Sequence, residues 1–168
     1  MRTTAFAILL LVLPAARPAS AAGPAPQADL SARVASLLSR FPASSFAQRD
    51  ALCADVLGLG PAGVAAVFAR ALPPGKEDDS KARFAVGALV SCAGRPGAER
   101  ERALVARTLV DAAGAARDAD LASFFLSQVE LVGQDESVRP LARFLADERL
   151  AGPSSRALVA IGGPRASK

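Results

Sequence analysis

Apolar side chains return along this chain every three or four residues, in short runs that are each cut off by glycine or proline. That rhythm marks amphipathic helices, which bury one face and end at residues unable to continue them. Leu30, Val34, Leu37, Leu38 and Phe41 form a first stripe, and Phe46, Leu52, Cys53, Val56 and Leu57 a second that stops at Gly58-Leu59-Gly60. Pro61 opens a third with Val64, Val67, Phe68 and Ala71, ended by Pro73-Pro74-Gly75. Asp79 or Ser80 caps a fourth carrying Phe84, Gly87, Ala88 and Ser91, with Cys92 beside them, up to Arg95-Pro96-Gly97. A fifth runs from Ala98 to Ala113 through Val105 and Leu109. Asp118 or Asp120 caps a sixth with Leu121, Phe124, Phe125, Val129 and Val132, closed by Gly133. Asp135 caps a seventh with Val138, Leu141, Ala142 and Leu145, and Pro153 opens an eighth with Leu158 and Ile161. No stretch alternates with the period of two that a strand requires, so the chain reads as all-α.

The helix pairs begin near Asp29, Pro61, Ala98 and Asp135, a spacing of about 32–37 residues that suits stacked helix-pair repeats. A four-helix bundle would need fewer and longer helices. The segment Val138 to Glu148 (VRPLARFLADE) resembles the first helix of a HEAT repeat, with Pro140 in mid-helix and Asp147 at the turn. Arg156 to Gly162 (RALVAIG) resembles the second helix with its terminal glycine. A wider similarity, from Asp78 to Ile161, is to exported bacterial HEAT-repeat proteins. The departures are a short turn, Arg149 to Gly152, and the lack of the Val-Arg pair that usually opens the second helix. The resemblance implies an α-solenoid of about four HEAT-like repeats in a right-handed superhelical stack. It also implies that Pro140 kinks its helix, that Asp147 ties neighbouring turns together, and that Arg156 and Gly162 hold repeat positions. Such proteins continue with further repeats, so the end at Gly162 to Lys168 is expected to be premature. The apolar eighth helix, left without a cap, is then expected to support weak self-association.

The amino terminus follows a different logic. Arg2, the apolar run Ala5 to Leu13, and the small residues Ala19-Ser20-Ala21-Ala22 are the three parts of a secretory signal. Pro14, Arg17 and Pro18 interrupt the run well short of the roughly 20 apolar residues that span a bilayer. Residues 1–22 are therefore read as a cleaved signal peptide, 23–28 as a flexible leader and 29–168 as the helical repeat domain. The protein is expected to be exported to the periplasm or the extracellular space, without membrane insertion after cleavage. Of its 20 Lys and Arg residues two, Arg2 and Arg17, leave with the signal, so the mature chain nearly balances its 16 acidic residues. The charges alternate, as in Glu99-Arg100-Glu101-Arg102, and Trp and Tyr are absent, a pattern that speaks against a nucleic-acid surface.

Catalytic chemistry finds little to work with. There is no His, the commonest general base and metal ligand. Glu77-Asp78-Asp79 lies where a helix cap belongs, and Ser44-Ser45 and Ser154-Ser155 sit at expected helix starts, so capping accounts for all three. Glu130, between Val129 and Leu131, is read as an exposed residue, the alternative being a reach to Arg139 or Arg143 of the next repeat. Cys53 and Cys92 are either one disulfide or two separate thiols packed as small apolar groups. No catalytic residue, cofactor or metal is assigned. The expected role is a non-catalytic scaffold that binds a protein or peptide partner, the alternative being an accessory region of a larger exported enzyme. Material recovered outside the cytoplasm should begin at Ala22 or Gly23 on N-terminal sequencing; an intact Met1 would contradict the signal.

Overall fold

The computed structural model describes residues 25–162; the signal segment lies outside them. Eight α-helices and one 3-10 turn make up the described residues, with no strand among them. The first two helices are α1 (Ala25–Ser39) and α2 (Phe46–Gly58), followed by α3 (Gly60–Phe68) and α4 (Ser80–Ala93). Then come α5 (Glu99–Ala115), α6 (Ala119–Val132), α7 (Asp135–Ala142) and α8 (Glu148–Ile161), with the 3-10 turn at Arg143–Ala146. Helix α1 starts inside the stretch expected as a leader, because Pro26 with its fixed φ suits a first helical turn.

Local chemistry sets most of the boundaries. Ser45 caps α2 by accepting from the Gln48 amide at 3.2 Å, and Gln48 reaches back to accept from the Ser44 amide at 2.7 Å. Only Leu59 separates α2 from α3, and the chain turns through 117° there. Gly60, at φ +70, supplies the left-handed backbone for that turn. Asp79 does not cap α4 with its side chain. It closes the preceding connection instead, accepting from the Leu72 amide at 2.7 Å and from Arg83 Nε at 2.8 Å. The open carbonyls ending α4 are met by Arg102, which donates to Ala93, Gly94 and Arg95 oxygens at 3.0–3.2 Å. Of the two candidates for α6 it is Asp118 that caps, accepting from the Leu121 amide at 2.9 Å.

The last helix pair departs from expectation. Pro140 sits inside α7, which gives way after Ala142 to the 3-10 turn. Asp147 then starts α8, five residues before Arg149–Gly152 was expected to finish its turn, and Pro153 is internal to the helix. The Asp147 carboxylate accepts from the Arg149 amide at 3.0 Å and pairs with the Arg149 guanidinium, so its observed partners lie within its own helix. Ser154, fully buried, is no cap: its hydroxyl donates to the Leu141 carbonyl at 2.7 Å across the α7–α8 interface. Gly162, at φ +61, ends α8.

Packing follows a simple rule. α1 lies on α3, α3 on α5 and α5 on α7; likewise α2 on α4, α4 on α6 and α6 on α8, while most consecutive helices also touch. One continuous core runs through both sets, including Val34, Leu52, Val56, Val64, Phe68, Val86, Leu89, Leu109, Leu126 and Leu141. Each such side chain contributes about 1.5–3 kcal/mol by leaving water. The C-terminal helix is covered more than its sequence suggested. Leu150, Ala157 and Leu158 are buried and Ile161 is half-buried, leaving Val159 exposed. Replacing Ser154 by Ala should cost about 0.5–1.5 kcal/mol in urea denaturation by removing a buried hydrogen bond to the Leu141 carbonyl. Ser155→Ala, on the exposed side, should stay within about 0.5 kcal/mol; equal losses would contradict the assignment.

Candidate functional site

A groove of about 700 Å³ opens between the α1–α2 connection, α2 and α4. One wall is Phe41 to Ser45 with Phe46 and Arg49; the other is Arg83, Phe84, Gly87, Ala88 and Ser91. The capping of α2 by Ser45 puts Phe46 at the first helical position, where it is 78% exposed. Phe84 stands opposite, 56% exposed. Along α4 the positions 84, 87, 88 and 91 share one face at the edge of the core: Ala88 is buried with Ala82, Ala85, Val86, Leu89, Val90 and Ala93, while Phe84 and Ser91 are exposed and Gly87 is half-buried. The stripe read from the sequence as packing is thus buried only at Ala88, and its other members line an open groove. Gly87 deepens it, since a side chain there would meet no atom within 4 Å.

Charge on the groove wall is largely spent in the fold. Arg83 bonds Asp79, donates to the Leu72 carbonyl at 2.7 Å, and lies 4.5 Å from the centre of the Phe124 ring. Arg49 lies 5.0 Å from the Phe46 ring centre and pairs with Asp50 at 2.9 Å. Arg95 reaches across from the end of α4 to bind Asp50 with both terminal nitrogens, at 2.7 and 2.9 Å. Hydrogen bonds from Arg95 first and Arg49 second hold the Asp50 carboxyl well below the usual carboxylate range. Burial opposes ionisation of Asp79, but the Leu72 amide and Arg83 outweigh it and keep that carboxyl low as well. What the groove offers is an apolar, aromatic-rimmed surface with serine hydroxyls at its edge.

The remaining sequence-derived positions fall elsewhere. Pro140, Asp147, Arg156 and Gly162 all belong to the C-terminal helix pair, away from the groove lining. Glu130 is half-buried and pairs with Arg156 at 3.2 Å, joining α6 to α8, so neither Arg139 nor Arg143 is its partner. Within Glu77-Asp78-Asp79, Asp78 accepts from the Ser80 amide at 2.9 Å, and no group of three potential ligands among the described residues is placed to hold a metal ion. Cys53 and Cys92 come together from α2 and α4 as free thiols, where burial and the neighbouring Cys92 push the Cys53 thiol far above its ordinary value. A second groove, about 760 Å³, lies between α3, α5 and the start of α6, and the two aromatic residues that line it, Phe68 and Phe125, are buried. No single described helix is long and apolar enough to cross a membrane.

Comparison with family models, with curated proteins and with solved structures finds no match to this chain. The groove must therefore be interpreted from its own chemistry.

Asp50 gives that chemistry a pH dependence. Its folded pKa lies below the ordinary value of 3.8, so the unfolded chain binds the proton more readily and the pairing stabilises the fold above that value. Stability should fall as pH drops below about 4 in urea denaturation, and Asp50→Asn should flatten that acid limb. An acid limb of unchanged slope in the variant would contradict the role of the Arg95–Asp50–Arg49 cluster.

Proposed function

We propose that this chain is an exported, non-catalytic scaffold, an α-solenoid of four HEAT-like helix pairs that grips a peptide or protein segment in the α2–α4 groove. Supporting the solenoid is the packing of odd helices on odd and even on even, which pairs α1 with α2, α3 with α4, α5 with α6 and α7 with α8. Supporting the scaffold role is one observation above all: Phe46 and Phe84, two of the largest apolar side chains left in water, face the same groove. Large exposed aromatics of this kind anchor partners by filling or flanking pockets. The wall arginines are already engaged, so the groove favours apolar side chains over strongly charged ones, and the serines at its rim suit a peptide backbone.

Of the other exposed large apolar residues, Leu131 on α6 is 68% exposed and Val159 on α8 is 80% exposed, while Leu145 lies in the 3-10 turn. Leu131 and Val159 sit near the C-terminal ends of their helices.

Panning a random peptide library against the full chain should enrich sequences with spaced aromatic or aliphatic residues. Their affinity should fall at least about tenfold in the Phe46→Ala, Phe84→Ala double variant, as expected for truncated anchors. Both side chains are exposed, so the variant should keep its helical circular dichroism and its denaturation midpoint. Peptides that bind the variant as well as the parent would overturn the groove as the binding site.

A further inference from the structure

Behind the groove, α2 and α4 face each other through two pairs of residues three positions apart. Asp50 and Cys53 stand on α2, Cys92 on α4 and Arg95 just beyond its end. Asp50 touches both members of the opposite pair: it binds Arg95 at 2.7 and 2.9 Å, and the Cys92 thiol donates to Asp50 Oδ1 at 3.6 Å. Cys92 in turn lies against Cys53. The ion pair clasps α2 to the end of α4 one turn away from the two cysteines, and the Cys92–Asp50 contact holds the Cys92 thiol against α2. Cys53 is buried and Cys92 is half-buried, which gives them different access to solvent.

We propose that Cys53 and Cys92 form a reversible disulfide between α2 and α4, made by exchange with an external disulfide such as oxidised glutathione. Cys92, the accessible member, releases its proton to solvent and its sulfur attacks one sulfur of the external disulfide, expelling the other as a thiolate. Cys53 then releases its proton, and its sulfur attacks Cys92 Sγ in the mixed disulfide, expelling the second thiolate. Both thiolates take up protons. Two protein thiols are oxidised to one disulfide while one external disulfide is reduced to two thiols, so atoms and electrons balance. The high-lying Cys53 thiol makes a poor first attacker, which fits the order of events. The bridge ties together the two helices that form the groove, and it forms or fails to form whatever occupies that groove.

The full chain is incubated with oxidised glutathione, quenched in acid, alkylated under denaturing conditions and examined by intact mass and peptide mapping. The expected product has lost two hydrogens, takes up no alkyl group, yields a Cys53–Cys92 linked peptide and reverts with dithiothreitol. Its unfolded fraction should be roughly thirty- to a thousand-fold below that of the reduced chain. Cys53→Ser should stop at the glutathione mixed disulfide on Cys92, and Cys92→Ser should leave Cys53 unmodified. Two alkylated cysteines after oxidation, a persistent mixed disulfide in the parent chain, or a bridge between two copies would each overturn the proposal, and none of these outcomes depends on the serine variants folding.

Discussion

The close packing of α4 is the contact on which most of this structure depends. That helix touches α1, α2, α3, α5 and α6, and it can do so because its buried face is built from small and medium side chains, Ala82, Ala85, Val86, Ala88, Leu89, Val90 and Ala93. Helix axes approach closely only where the side chains between them are short, and interiors at this density have no slack for larger ones. Its two ends are held as well. Arg83 anchors the first turn to the 72–79 connection and to Phe124 of α6, and Arg102 satisfies the carbonyls at the other end. Five neighbours are thereby referred to one rigid element, and the α2–α4 groove inherits that rigidity along one of its walls.

Much of this was legible in the order of residues. The helices and their breaks at Gly58-Leu59-Gly60 and Pro73-Pro74-Gly75 follow from periodicity and backbone preference, which are local properties, and the same preferences narrow the cap of α6 to Asp118 or Asp120, of which the structure uses Asp118. The local signal fails where a long-range partner outweighs it. Pro153 looked like a helix start, yet Asp147 begins the helix earlier and Ser154 is drawn into the interface by the Leu141 carbonyl. Arg102 looked like one member of a solvated charge run, and only the folded chain reveals the three carbonyls it serves. Glu130 could not have been matched with Arg156 from spacing, because the pairing depends on how α6 and α8 lie together.

The groove was hidden for a related reason. Phe84, Gly87, Ala88 and Ser91 repeat at helical spacing, and a periodic face is ordinarily a buried one. Two features set this stripe apart: its composition thins to glycine, alanine and serine after one aromatic, and a second, richer stripe of Ala85, Val86, Leu89 and Val90 runs beside it on the same helix. A helix with two apolar stripes has one more than its own core needs. The meeting of Cys53 with Cys92 was open in the sequence for lack of distance information, and the Asp50–Arg95 clasp that brings them together leaves no local trace.

All the principal contacts join helices one, two or three places apart in the chain. Folding such a chain requires closing only short loops, each costing little entropy, so the search for native contacts is confined to neighbours and proceeds quickly. Order can spread outward from the α3–α6 region or grow from one end as the polypeptide emerges, without waiting for residues far away in sequence. The same locality means that damage at one end, such as loss of α8, deprives α6 and α7 of a partner while the contacts of α1, α2 and α3 are untouched. Cooperativity in this molecule is therefore a matter of coupling between adjacent helices, and it fades with distance along the chain.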